Sequence, residues 1–305
     1  MHALFVHQNF PAQFRHVAPR LASDYGWRCT FATTNDRVAA PHGVEKVIYH
    51  VATAAAPGEH MCVGRFRTNV GHALGVYKAM KRRPELRPDL IVAHSGFGSS
   101  LFLPYLYDAP IINFFEYFFR PVGQDLDYRP DDVVTESDLL RWRVLNSMVL
   151  HDLENCDRGW SPSVYQRALF PAEYQNKIEV IPEGINTELW AVRKGAERQL
   201  PDGTVVPEGT RIVTYVSRGF EKMRGFDVFM KAAKLVYEQY ADVLFVVVGS
   251  DRICYSVGHE RGGHRSFRER VLAEGDYDLS KFQFTGRLTQ EDLSPPTRCG
   301  GWGRG

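Results

Sequence analysis

One pattern runs through this chain: a short apolar run, a polar loop and a helical stretch, repeated several times and started afresh past residue 210. Parallel strands need a crossover between them, and a helix is the usual one, so the alternation points to an α/β fold with parallel sheets. The chain opens with Ala3-Leu-Phe-Val-His7, then polar Gln8 and Asn9, then Pro11, then Phe14, Val17, Leu21 and Ala22 at helical spacing. Further strands are expected at Cys29 to Thr33, Val47 to Val51, Leu90 to Ala93 (ending at His94), Pro110 to Phe115 (ending at Glu116) and Ile178 to Ile181. Helices are expected over Gly64 to Met80, Leu139 to Asp157 and Ser163 to Phe170. The long helix carries His151 and Asp152, both read as exposed.

Residues 187–210 hold Gly195, Pro201, Asp202, Gly203, Pro207 and Gly209 with few apolar side chains, the composition of a linker with an exposed turn. The pattern then resumes: a strand at Arg211 to Val216, a basic loop, a helix over Phe226 to Tyr240, and a strand at Val243 to Val248. A helix over Phe267 to Ala273 and a strand over Phe282 to Gly286 follow. Thr289 to Asp292 reads as a capping box opening another helix. Beyond Leu293 come two prolines and four glycines in a dozen residues, which cannot continue a packed helix. The expected domains are therefore 1–186, a linker at 187–210, a partial second domain at 211–293, and an aberrant or disordered tail at 294–305.

The 305 residues carry 37 basic and 36 acidic side chains, a net charge of +1 that gives no nucleic-acid footprint. The cysteines at 29, 62, 156, 254 and 299 form no CxxC pair, which argues against a zinc site or disulfide framework and for a reducing cytosol. No leader precedes the first strand, and no apolar run approaches the ~18 residues of a membrane span. Gly258 to His264 is read as a glycine-rich loop, since it lacks fixed metal-ligand spacing.

Six segments in order resemble a family 4 (group 1) glycosyltransferase of the GT-B type. They are Leu4-Phe-Val-His-Gln-Asn-Phe-Pro11, Arg87-Pro-Asp-Leu-Ile-Val-Ala-His94, Ile181-Pro-Glu-Gly-Ile-Asn186, Tyr215-Val-Ser-Arg-Gly-Phe-Glu-Lys-Met-Arg-Gly225, Val246-Val-Val-Gly249 and Phe284-Thr-Gly-Arg-Leu288. The resemblance covers nearly all of residues 1–292 and implies two Rossmann-like doubly wound domains, the second incomplete here. It implies transfer of a sugar from a nucleotide-sugar donor to a hydroxyl, with retention at the anomeric carbon. It also implies no metal or other cofactor, a glycan or lipid-linked acceptor with peripheral membrane association, a cytoplasmic location, and a role in cell-envelope or exopolysaccharide synthesis.

Charge growing on a departing diphosphate must be neutralised by fixed cations and N–H groups where no metal does so. The loop after Val216 offers Arg218, Lys222 and Arg224, with Gly219 and Gly225 for close backbone approach and a helix N-terminus beginning near Phe226. The family's Arg and Lys lie six positions apart, which maps the pair to Arg218 and Arg224 with Lys222 as the rival second cation; a solvated basic loop is the plain alternative. His94 ends a strand at the edge where doubly wound sheets bind ligands, and the resemblance places a His there near sugar and acceptor. Its alternative is a histidine hydrogen-bonded to backbone at the rim of the core. Glu116, among aromatic side chains, either orients an acceptor hydroxyl or pairs structurally with Arg120. His7, Asn9 and Gln13 line the first strand-to-helix turn and are expected on the acceptor side, or are ordinary loop residues.

The family's pair of glutamates eight positions apart is missing: no two glutamates of this chain have that spacing. Weak donor binding and little turnover are therefore expected. Two other readings stay open, a non-catalytic remnant or binding module and a nucleotide-sugar epimerase.

Overall fold

Every named strand pairs in parallel in the computed structural model, which describes residues 1–51, 58, 60, 62–98, 100–130, 133–191, 199–200, 202–252, 254, 264–290 and 292–293. The chain divides into two units, Met1–Glu183 and Gly184–Gly305, with Gly184 at a positive φ of 73° where the second begins.

The first unit runs β1 (His2–Val6), α1 (Val17–Tyr25), β2 (Arg28–Thr33), β3 (Val44–Ile48), α2 (Gly64–Lys81), β4 (Leu90–His94) and β5 (Ile111–Phe114). It continues with α3 (Glu136–Val144), α4 (Ser147–Asn155), β6 (Arg158–Ser161), α5 (Val164–Leu169) and β7 (Ile178–Val180). The sheet order is β3-β2-β1-β4-β5-β6-β7, which reverses direction between β1 and β4. Central β1 is buried along its whole length, and its alternating side chains feed two cores. Leu4 and Val6 join Val76, Met80, Ile91 and Ala93 on one face. Ala3 and Phe5 join Phe14, Phe31 and Val92 on the other. Strands covered on both faces read as continuous apolar runs, which is why this unit is legible in sequence.

Three details differ from expectation. Strand β3 lies three residues earlier than Val47 to Val51, because it pairs Val44 to Ile48 against Cys29 to Thr33. As an edge strand it holds polar Glu45 and Lys46 between buried Val44 and Val47. The helix expected over 139–157 is two helices, α3 and α4. Between them Asn146 turns its side chain inward, accepting from Phe119 N–H at 2.9 Å and donating to Phe119 O at 2.7 Å. Strand β6 escaped notice because it is four residues long and contains Gly159, where a Cβ would lie 2.5 Å from the Phe115 ring.

The second unit contains β8 (Arg211–Val216), α6 (Phe226–Gln239), β9 (Val243–Val248), α7 (Phe267–Glu274) and β10 (Phe282–Gly286), with sheet order β10-β9-β8 among the described residues. Phe226, Met230 and Ala233 of α6 pack on Phe245 and Val247 of β9. Leu200 and Val206, from the stretch read as a linker, are buried with Ile212, Val246 and Val248. Thr289 caps the chain's next turn: its Oγ1 accepts from Asp292 N–H at 3.1 Å. Residues 258–263 of the glycine-rich loop and 294–305 of the tail lie outside the described residues. No helix among the described residues is long and apolar enough to cross a membrane.

Candidate functional site

In a doubly wound sheet the carboxyl ends of the strands diverge where the order reverses, and the crevice there receives ligands. Val6 of β1 pairs with Ala93 of β4, so the residues that follow, His7 and His94, emerge side by side at this point. Their rings meet edge to face with centroids 4.9 Å apart. Phe97 stacks on His7 at 5.8 Å and meets His94 edge-on at 5.0 Å, and Phe114 closes the other side of His94 at 4.9 Å. The hairpin that brings Phe97 back is pressed onto β1: a Cβ on Gly98 would sit 2.3 Å from Val6 O.

His94 is fully buried. Its Nδ1 lies 2.8 Å from Ser95 O, and Nε2 lies 3.4 Å from Glu116 Oε2, in an alignment that makes no hydrogen bond. The Glu116 side chain is 46% exposed, so this carboxylate reaches from solvent to the buried ring. Arg120 is not its partner: the Arg120 guanidinium donates to Leu169 O at 3.0 and 2.6 Å and stacks on Phe118. Buried His7 accepts Asn9 N–H on Nδ1 at 2.9 Å, with the Gln13 side chain near its ring. Burial, reinforced by His94, lowers its pKa to about 3, so the ring is neutral near pH 7. The structure thus brings His7, Asn9 and Gln13 together in one turn, which also holds Ala12 at φ 47°, an uncommon conformation for a residue with a Cβ.

Asp152 was read as exposed and is instead fully buried, accepting from Ser95 Oγ at 2.9 Å. Its backbone carbonyl takes Asn113 Nδ2 at 3.2 Å, tying α4 to the end of β5; His151 beside it is exposed. The signal was present in sequence, since Asp152 occupies the apolar stripe of Met148, Val149, Leu153 and Cys156.

The second unit's basic loop is shaped by glycines. A Cβ on Gly219 would lie 2.2 Å from Arg252 O, and one on Gly249 would lie 2.3 Å from Ser217 O. The turn is tied to the end of β9 by Ser250 Oγ, which donates to Arg218 O at 2.9 Å, and by Phe220 N–H, which donates to Ser250 O at 3.0 Å. Lys222 to Arg224 form one 3-10 turn, closed by Gly225 at φ 67°, after which α6 begins with no side-chain cap. Arg218 and Arg224 are exposed and Lys222 is half-buried. Glu221 between them is buried, and its Oε2 accepts Cys254 N–H at 3.0 Å. Among the described residues no group of three His, Cys, Asp or Glu side chains is placed to hold a metal ion.

Comparison with known proteins decides the family. A sequence model of the glycosyl transferase family 4 group matches residues 25–190, more than half of the chain. The chain belongs to this glycosyltransferase family. No curated protein matches the sequence. Among solved structures the family 4 chain is similar to sucrose-phosphate synthase of Thermosynechococcus elongatus, with TM-score 0.64 and 17% identity over 98% of this chain and 73% of that one. It is similar to WaaG, a glycosyltransferase involved in lipopolysaccharide biosynthesis, with TM-score 0.58 and 16% identity over 97% and 72% of the two chains. A Listeria monocytogenes protein described as a UDP-N-acetylglucosamine 2-epimerase follows, with TM-score 0.50 and 13% identity over 97% and 71%. At such identities these likenesses establish the fold, the GT-B type, and nothing finer.

Proposed function

We propose that this family 4 glycosyltransferase moves a sugar, with retention at the anomeric carbon, from a nucleotide-sugar donor to a hydroxyl of a glycan or lipid-linked acceptor. The bond from the anomeric carbon to the diphosphate oxygen breaks, a bond to the acceptor oxygen forms, and the acceptor proton is released. The observation that carries the reading is the β8–α6 turn, where Gly219 and Gly249 leave no room for a Cβ and three cations share one tight loop. Arg218 and Arg224, with Lys222 as second or third cation, neutralise the charge that develops on the leaving diphosphate, and no metal is assigned to that task. Gly219 and Gly225 give the backbone its close approach, and the N-terminus of α6 adds partial positive charge.

In the first unit, His94 and Glu116 are assigned to the reacting sugar and the acceptor hydroxyl, with His7, Asn9 and Gln13 behind them. Buried Nε2 of His94, which has no hydrogen bond, is a polar atom that a sugar hydroxyl satisfies. The four described cysteines are free, which supports a cytosolic setting, and peripheral membrane contact belongs to the lipid-linked form of the acceptor. Cell-envelope or exopolysaccharide glycan is the product class in this reading.

Calorimetric titration of UDP and GDP tests it. Arg218→Ala and Arg224→Ala should each weaken nucleotide binding by about tenfold or more, the cost of one charge-assisted contact. Unchanged affinity in both variants would remove the diphosphate assignment.

A further inference from the structure

His94 Nδ1 lies 2.8 Å from the carbonyl oxygen of Ser95, and an oxygen of that kind can only accept. The proton of the neutral ring is therefore on Nδ1, and Nε2 is left with its lone pair. Free in water a neutral histidine favours the opposite form, so the fold must hold this one. His7, whose ring meets His94 edge to face, supplies the contrast. Its Nδ1 accepts Asn9 N–H at 2.9 Å, which puts its own proton on Nε2.

The carbonyl that holds His94 belongs to the middle peptide of a turn. Phe97 N–H donates to His94 O at 3.1 Å, and Gly96 stands third in the turn at φ 81°, the signature of type II. A type I turn over the same four residues would rotate the Ser95–Gly96 peptide by roughly half a turn and carry its oxygen away from the ring. A Cβ on Gly96 would meet nothing within 4 Å, so the glycine is required by its backbone angle and by no neighbour. Behind the turn, Ser95 Oγ donates to Asp152 Oδ2 at 2.9 Å, and Ser95 N–H donates to Phe114 O at 3.0 Å. Asp152 is itself fully buried, and its carbonyl accepts Asn113 Nδ2 at 3.2 Å. Ser95 is thus gripped by side chain and main chain, and its carbonyl is aimed at the ring before it.

We propose that Ser95, Gly96 and Asp152 are positioning residues that fix His94 as its Nδ1–H tautomer. The consequence lies at the other nitrogen, where Glu116 Oε2 is 3.4 Å from Nε2. With the proton on Nδ1 both of these atoms are acceptors, and a hydroxyl donor entering between them satisfies what neither can give the other. With the proton on Nε2 the ring would donate to Glu116, and the pair would close on itself. The turn therefore selects a ligand that brings hydroxyl protons to this edge of the sheet, as a sugar does. The inference rests on the role given above to His94 and Glu116.

Nitrogen-15 NMR of the full 305-residue chain tests this at about pH 8, where histidine rings are ordinarily neutral. Bare and protonated ring nitrogens resonate far apart, and the signals of His94 and His7 are those lost in His94→Phe and His7→Phe. His94 should show a protonated Nδ1 and a bare Nε2, and His7 the reverse. Gly96→Ala should lower the ratio of Nδ1–H to Nε2–H forms of His94 by about tenfold, the worth of one buried hydrogen bond. Gly96→Asn should keep the ratio, because asparagine tolerates the left-handed angle. Ser95→Ala and Asp152→Leu should lower it by less, and Asp152→Asn, which retains an oxygen for Ser95 Oγ, should restore part of that loss. His7 should keep its form in all of these variants. A merely structural role would lower the unfolding midpoint and leave the ratio as it is. That result, or a wild-type His94 with its proton on Nε2, overturns the proposal. Should Asp152→Leu fail to fold, Gly96→Ala and Ser95→Ala decide. Calorimetry with UDP-glucose against UDP reads the role of His94 separately. A ratio that follows the turn, with the sugar's contribution to binding unchanged in His94→Phe, removes only the assignment of His94 to the sugar. Loss of that contribution in His94→Phe, with a ratio indifferent to the turn, removes only the positioning.

Discussion

The two candidate sites are made from opposite materials. At the β1/β4 switch point the groups are rings: His7 and His94 are buried, held by Phe97 and Phe114, and set in place before any ligand arrives. At the β8–α6 turn the backbone is the rigid part, fixed by glycines that approach carbonyls too closely for any side chain, while Arg218 and Arg224 extend into solvent. The first arrangement is fixed by ring packing, with His7 neutral near pH 7. The second gathers positive charge on long, adaptable side chains.

Substitution of the packing glycines should break the contrast with the largest effect. In Gly98→Ala the new methyl would press on Val6 O and the Cα of His7, both main-chain atoms at the centre of the sheet. A loss of about 3 kcal/mol or more is expected, read as a lowered midpoint in thermal or denaturant unfolding. Gly219→Ala meets Arg252 O, also a main-chain atom, but in a loop and not at the centre of a sheet. It should cost less stability and remove most UDP binding. Equal destabilisation by the two would mean that the turn is as much a part of a core as the switch point is.

Salt and pH should then sharpen it. Exposed cations are screened, so UDP binding should weaken severalfold between about 50 and 200 mM salt. The buried site should instead respond to acid. The folded-state pKa of His7, about 3, lies below its ordinary 6.5, so the unfolded chain binds the extra proton between those values. The contribution of neutral His7 is therefore complete above about pH 6.5 and declines as pH falls toward 3, with a slope of at most ~1.4 kcal/mol per pH unit. His7→Phe should flatten that part of the stability–pH curve. An unchanged curve would place the acid sensitivity in other groups.

Much of the first sheet was readable because doubly buried strands such as Leu90–His94 are nearly uniform apolar runs. The switch-point histidines were readable for the same reason, each standing at the end of such a run. Strand Arg158–Ser161 was not, because Gly159 is chosen for contact with Phe115 and not for strand propensity. The break at Asn146 was hidden because it depends on a partner, Phe119, that is 27 residues away. Asp152 shows a third case: its apolar stripe was visible, but a lone carboxylate on a helix is read as solvated unless its partner, here Ser95, is known.

The smallest expected effect tests whether helix α6 adds to anion binding beyond the cations of the turn. Asp227 stands in its first turn, where partial positive charge is concentrated and no side chain caps the helix. A carboxylate there complements the dipole of the empty helix and opposes a bound diphosphate. Asp227→Asn should therefore reduce stability slightly while raising UDP affinity by about two- to fivefold, the range set by ~0.3–1 kcal/mol of helix-end electrostatics. Both signs matter: the two readouts should move in opposite directions, measured by thermal unfolding and by calorimetry on the same preparation. If affinity falls together with stability, Asp227 serves the loop structurally, and binding would be assigned to the cations of residues 218–224 alone.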